Sequence, residues 1–462
     1  MKGISEVAEF ALRLAESAGG EYAEAYFENS EASFYSVEQG KLNGSGHVES
    51  TGLRIRILKK GSMLTVSTNN LSKSNLERLI KFRPFKGASI SLSDEKKVRV
   101  KSILKPKKEA EPQEVLESVL DIEKGIADKK YIKYRSIYAG IGKANSLMLN
   151  SEGSRIELCS PSITSFINFI INKDGESRQR MMQFGGIGGI ELFDASEILS
   201  NVEEEAKNIY NVIDKGISIS KNESSNIKSV VISPEIAGIA VHESVGHANE
   251  ADRVFGREAA QAGLSYIGEK ELGSNVGSKE VTIVDDPGIK YAYGFFAYDD
   301  EGVRGKKKTI VKKGMQNELL TNREYAASIG KKSTGSSRSD DYSNEPLIRM
   351  SNTYLEKGDA SLDELASEAR NGVYIKSYTE WNIDDTRSFS RYQGNEAYII
   401  RNGRIKEPVK NYALERKTLD FWRALKMRGK DLKIFPGICG KGEPMQGMPV
   451  SMGGPSALLV FE

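Results

Sequence analysis

The sequence predicts an α+β chain: an N-terminal α/β region, a middle region, and a C-terminal β-rich, barrel-like domain built around one histidine-bearing helix. Three observations carry this expectation. Helix-period apolar spacing at the start gives way to period-two alternation. A polar stretch marked by Pro106 and Pro112 separates that block from a second helix and a hairpin. Beyond residue 226 a strand–Ser-Pro–helix unit is followed by many short apolar runs. The expected regions are 1–84, a linker over 85–112, 113–225 and 226–462, a division in keeping with two or three domains for 462 residues.

Ile4, Val7, Ala8, Ala11, Leu14 and Ala15 recur at helical spacing, and Gly19-Gly20 ends the helix. Strands follow at Tyr22 to Glu28, Ala32 to Glu38 and Leu53 to Ile57. The turn Lys59-Lys60-Gly61-Ser62 joins the last of these to Met63 to Ser67 as a hairpin. A helix near Leu71 to Phe82 closes the first region. The middle region opens with a helix bearing Val115, Leu116, Val119 and Ile122, then a hairpin turned at Ser151-Glu152-Gly153. The glycine cluster from Gly185 to Gly189 lacks the third glycine of a dinucleotide fingerprint, and no strand–helix unit surrounds it, so it reads as a strand or domain junction. Ser333 to Ser343, rich in Ser, Gly and Asp, reads as an exposed loop bordering a substrate channel.

In the third region Val230-Val231-Ile232 reads as a short buried strand. Ser233 is a good N-cap and Pro234 suits the first helical position, where no N–H is needed. Ile236, Ile239 and Ala240 supply the apolar face. Two to three turns in comes His242-Glu243-Ser244-Val245-Gly246-His247, which holds two of the three histidines in the chain around a carboxylate. Neutral imidazole is the commonest protein ligand for zinc, and a neighbouring glutamate can take the proton from an attacking water. The usual zinc-protease helix sets its histidines four apart; these are five apart, so a straight α-helix would splay them by about 140°. A π-bulge supplies the extra residue, with Gly246 easing the distortion.

Zinc catalysis wants a third protein ligand beside an open position. Candidates are Glu250, Asp252, Asp285-Asp286, Asp299-Asp300-Glu301 and Cys439, and spacing does not choose among them. Asp285-Asp286-Pro287-Gly288 also reads as an ordinary β-turn. With only Cys159 and Cys439 there is no disulfide framework; Cys159 follows a strand pattern as a small buried hydrophobe, whereas Cys439 sits among glycines that suit a ligand loop.

Composition excludes several classes. Lys+Arg 66 against Asp+Glu 64 points neither to nucleic acid nor to acidic membranes. The basic run Arg304-Gly305-Lys306-Lys307-Lys308 is expected as a solvated strand edge, where lysines discourage pairing. No apolar stretch is long enough to span a membrane, and the N-terminus is not signal-like, so the expected setting is the cytoplasm.

Several motifs together resemble the TldD/PmbA (TldD/TldE) zinc metalloprotease family over nearly the whole chain, on the side of its TldD subunits. They are the HExxxH run His242 to His247 continuing through Ala248-Asn249-Glu250-Ala251-Asp252, Asp299-Asp300-Glu301-Gly302, Arg349-Met350-Ser351-Asn352-Thr353, Cys439-Gly440-Lys441, Pro449-Val450 and Gly454-Pro455. The resemblance implies Zn2+ held by His242, His247 and Cys439, with Glu243 as general base. It also implies unfolded or short peptide substrates, admitted as extended strands into a chamber shared with a TldE/PmbA-type paralogous subunit; a homodimer is the other arrangement. The expected chemistry is metal-assisted amide hydrolysis. Two other classes compete: a peptide-binding or regulatory protein whose metal is structural, and a metal-dependent hydrolase of a non-peptide amide or ester.

Overall fold

The computed structural model describes residues 2–80, 89–256, 258, 263–268 and 271–462. The last residues of the expected helix near Leu71 to Phe82 and the start of the expected linker lie outside them; the described helix there is Lys73–Leu79. The fold mixes helices with a larger share of sheet, one sheet curling into a half-barrel.

The amphipathic start folds as the helix Lys2–Ser17. Tyr22 to Glu38 is one unbroken 17-residue strand, not two. It pairs antiparallel with Lys41–Lys59 on one side and Ile132–Asn150 on the other, so the expected first and middle regions share a sheet. That seven-stranded sheet runs Ser62–Thr68, Lys41–Lys59, Tyr22–Glu38, Ile132–Asn150, Arg155–Lys173, Arg99–Ile103, with Glu176–Gly186 also on Arg155–Lys173. Both hairpins turn where expected, Lys59 facing Ser62 and residues 151–154 linking the long central pair.

Arg99–Ile103 lies in the segment read as linker. It pairs in parallel with Arg155–Lys173, every second residue exposed, and its Arg and Lys side chains are those of a protected sheet edge, which is why it looks like linker in sequence. Two apolar clusters cover the sheet. Ala8, Ala11 and Ala15 pack on Phe27, Leu53, Ile55 and Ile57. Val115, Val119 and Ile122 of the helix Pro112–Ala127, with Ile198 and Val202 of the helix Ala195–Lys215, pack on Ile163, Ile167 and Phe169.

Beyond residue 226 two further sheets enclose the histidine helix. One has eight strands and includes Ser229–Ile232, Gly372–Ile383 and Phe389–Arg401. The other has six, ending in Ile283–Asp285, Asn352–Leu355, Gln446–Gly454 and, at its edge, Lys433–Lys441. One continuous apolar cluster joins them, with Ile236, Ile239, Val241 and Val245 at its centre.

Three expectations are corrected here. Lys308 is not a solvated edge residue: it starts the inner strand Lys308–Lys312, is fully buried, and lies 2.7 Å from Asp285. Asp285 is accordingly the end of a strand, receiving Ser351 N, Ser351 Oγ and Thr353 Oγ1 as well. Ser333 to Arg338 is buried rather than exposed: the Ser333 and Thr334 hydroxyls donate to the Thr321 carbonyl, and Ser337 N donates to Asp299. Cys159 is half-buried.

The acidic segment Asp299-Asp300-Glu301 joins the first sheet to the C-terminal region. Arg56 lies 3.0 Å from Glu24 and 2.9 Å from Glu301, and Arg54 lies 3.0 Å from Asp300. Arg323 adds a bond to Glu152 at 2.7 Å and two to the Ser93 carbonyl.

Candidate metal centre

Ser229–Ile232 ends at Ser233, whose hydroxyl accepts from Ile236 N at 3.3 Å, and Pro234 opens the α-helix Pro234–Val241. At His242 the helix widens: His242–Gly246 is a π-turn, and His247 N donates to the His242 carbonyl. The widening brings the two rings to a centroid separation of 4.8 Å at an interplanar angle of 81°. Ser244 braces the turn, donating to the Ala240 carbonyl at 2.6 Å and accepting from Trp422 Nε1 at 3.0 Å. Gly246 has an ordinary helical φ of −56°. Its role is therefore close packing, not backbone freedom: a Cβ there would stand 1.9 Å from Met350 Sδ.

Cys439 arrives from the edge strand Lys433–Lys441, and its Sγ lies 3.3 Å from His247 Nε2. One ligand atom from each of His242, His247 and Cys439 falls within 4.8 Å of the others, and all three residues are buried. Nδ1 of His242 is a buried nitrogen without a hydrogen-bond partner, as a ligand nitrogen would be. Two imidazoles and a thiolate form a donor set suited to zinc, so the residues present fit the ion.

The other candidates for third ligand have other partners. Glu250 Oε2 accepts from His247 Nδ1 at 3.0 Å and from Arg253 Nε at 2.9 Å, and Lys441 Nζ stands 3.2 Å away. A carboxylate on the far nitrogen of a histidine fixes the tautomer and turns the near nitrogen to a metal. Through its contact with Glu250, Lys441 ties the Cys439 strand to the carboxylate that orients His247, and Asp252 also holds its Nζ at 2.7 Å. Asp285 and Asp299 to Glu301 serve the packing described above. The third histidine, His47, is an exposed strand residue beside Glu49.

Burial shapes the titration of these groups. It pushes His242 down, favouring neutral imidazole, with Glu243 opposing. It pushes Glu243 up, partly offset by His242 and Arg387. For Glu250 burial works upward, but Lys441 and His247 outweigh it and hold the carboxyl well below its usual range. Burial also works upward on Cys439, and His247 and Arg349 overcome it, favouring thiolate.

A cavity of about 1120 Å³ opens beside the cluster, and His242, Glu243, His247, Cys439 and Arg387 all line it. Its walls come from Glu176–Gly186, Ala195–Lys215 and Lys433–Lys441, and the loop 333–343 takes no part. Sequence reasoning missed three contributors. Arg349 donates to the carbonyls of Cys439 and Gln446, Lys441 makes the tie above, and Arg387 lies 2.7 Å from Glu243. The first two stand in motifs already noted; Arg387, in a polar turn, carries no sequence signal.

A buried His/His/Cys cluster beside a glutamate, at the wall of a large cavity, marks a candidate metalloenzyme. A family model for the PmbA/TldA metallopeptidase C-terminal domain matches residues 225–461, and one for domain 1 of the same proteins matches residues 23–83. The chain belongs to the PmbA/TldD metallopeptidase family, whose named relatives are metalloproteases of the TldD type. It is 30% identical over 447 residues to Metalloprotease MJ0996 of Methanocaldococcus jannaschii, covering 94% of this chain and 95% of that one. It is 34% identical over 266 residues to the zinc metalloprotease TldD homolog of Saccharolobus solfataricus, covering 57% of this chain and 56% of that one. Its fold matches TldE of Thermococcus kodakarensis with a TM-score of 0.75 at 17% identity, over 98% and 100% of the two chains. Among the described residues no helix is long and apolar enough to cross a membrane.

Proposed function

We propose that this chain is a zinc-dependent peptidase of the HExxxH type that hydrolyses unfolded or short peptides, with His242, His247 and Cys439 holding Zn2+ and Glu243 as general base. The observation that carries the reading is the convergence of the three donors within 4.8 Å at the wall of the cavity that Glu243 also lines. When bound, the ion supplies Lewis-acid chemistry, polarising a carbonyl and acidifying water. A Glu243 carboxylate oxygen accepts the proton of the attacking water and returns it to the leaving amide nitrogen. Burial, which raises the affinity of that carboxylate for a proton, brings it nearer to the ideal of a group that must both take and give one.

The edge position of Lys433–Lys441 supports an extended substrate, because the unpaired side of an edge strand offers main-chain donors and acceptors whatever the side chains. The fold likeness to TldE supports a paralogous partner that completes the chamber, with a second copy of this chain as the alternative. Cysteines unpaired in any disulfide, Cys159 and Cys439, suit a reducing compartment, and we assign the cytoplasm. The competing reading, a regulatory protein with a structural metal, calls for a closed set of four ligands; among the described residues the cluster has three.

Glu243→Gln tests the reading. It should keep metal and fold while abolishing cleavage of an unfolded-peptide panel that the unaltered chain, alone or with its paralogue, cleaves and a chelator stops. Cleavage by the variant overturns the role of Glu243, and cleavage confined to small amides overturns the peptide substrate.

A further inference from the structure

Arg387 lies in the turn between Gly372–Ile383 and Phe389–Arg401, with a φ of 63°, in the left-handed region that a β-carbon disfavours. The surroundings hold that conformation from several sides. Arg387 N donates to the Asp384 carbonyl at 2.9 Å, and Thr418 Oγ1 donates to the Arg387 carbonyl at 2.6 Å. The Asp384 carboxylate gathers Thr386 Oγ1, Ser388 Oγ and Phe389 N. A strained residue kept in place by its neighbours points to a side chain that must be aimed.

The guanidinium is aimed at the candidate site. It is buried, lines the cavity, and donates from one terminal nitrogen to Glu243 Oε2 at 2.7 Å. Nε is buried without a hydrogen-bond partner. Among the described residues Oε1 of Glu243 receives no hydrogen bond. One oxygen of the carboxylate is thus fixed and the other is left to act.

We infer that Arg387 is a positioning residue for Glu243, pinning Oε2 so that Oε1 stays turned to the cavity to accept a proton. The inference rests on the peptidase reading and adds to it the group that aims its base. A base held by one oxygen needs no reorientation during the proton transfer, so the contribution falls on turnover rather than on peptide binding.

The test compares Arg387→Gly, Arg387→Lys and the unaltered chain, loaded with zinc and supplied with the same peptide. Glycine accepts the left-handed φ, so the first variant removes the side chain while sparing the turn. Its kcat should fall by roughly 100-fold or more with KM changed by about twofold at most. Zinc content and thermal midpoint should stay near those of the unaltered chain, methylguanidinium at millimolar concentration should restore at least part of kcat, and Lys should retain an intermediate rate. In the crystal structure of Arg387→Gly, Glu243 should leave its position while His242, His247 and Cys439 keep theirs. A rise in KM alone would make Arg387 a substrate-binding group, and loss of zinc or of the fold would make it structural; either overturns the inference, as does a Glu243 that stays in place. Failure of the unaltered chain to cleave any peptide instead strikes the peptidase reading, and the position of Glu243 in the variant still decides the role of Arg387.

Discussion

The amide of His247 donates to the carbonyl of His242, and this five-residue turn places two imidazole centroids 4.8 Å apart that a straight helix would turn away from each other. Widened turns of this kind favour functional sites. Here the reason is geometric: the extra residue returns the second ring to the face that carries the first.

The widened turn leaves no room at Gly246. Gly246→Ala sets a methyl group 1.9 Å from Met350 Sδ and should destabilise the chain by about 1–3 kcal/mol through overpacking. In a Met350→Ala background the same substitution should cost much less. Thermal or denaturant melts of the four chains in this cycle check the coupling, and simple additivity would contradict the packing argument.

Glu250→Gln should weaken zinc binding roughly 10- to 100-fold without removing a ligand, since Glu250 orients His247 and receives Lys441. Competition with a chromophoric chelator measures the change. An unchanged affinity would show that His247 needs no carboxylate behind it.

Glu28 gives a pH-dependent stability. Burial, then the nearby Asp300 and Asp341, push its carboxyl from 4.5 up to about 7. The folded state therefore keeps this proton where the unfolded chain has lost it. Its effect on stability is nil below about pH 4.5, turns increasingly unfavourable as pH rises to about 7, and is constant above that. Glu28→Gln should gain on the order of 2 kcal/mol at pH 8 and little at pH 4, by urea unfolding at each pH. Equal effects at both values would show that folding leaves the proton affinity of the carboxyl unchanged.

Much of the site was readable because its key parts are local. The strand, cap, proline and helix from Val230 to Val241 follow from propensity and capping, and the five-residue spacing of the histidines calls for a π-turn if both rings are to share one face. The edge strand Arg99–Ile103 and the buried Lys308 were misread for one shared reason. Lysine-rich segments look solvated unless the partner, here a sheet neighbour or Asp285, is known. Ser333 to Arg338 misled in the same way, since the Ser333 and Thr334 hydroxyls, once bonded to Thr321, bury as readily as apolar groups.

Sequence alone settled the helix, its two histidines, the intervening glutamate and the need for a widened turn, because each depends on residues within a few positions of one another. Which third donor meets them depended on tertiary structure: Cys439 lies 192 residues beyond His247, and only the pairing of its edge strand brings the sulfur within 3.3 Å. The same holds for Arg387, 144 residues from Glu243, whose strained turn has no meaning until two strands and a helix pack together. Local chemistry is written in spacing, whereas convergence across the chain is set by which surfaces bury against each other.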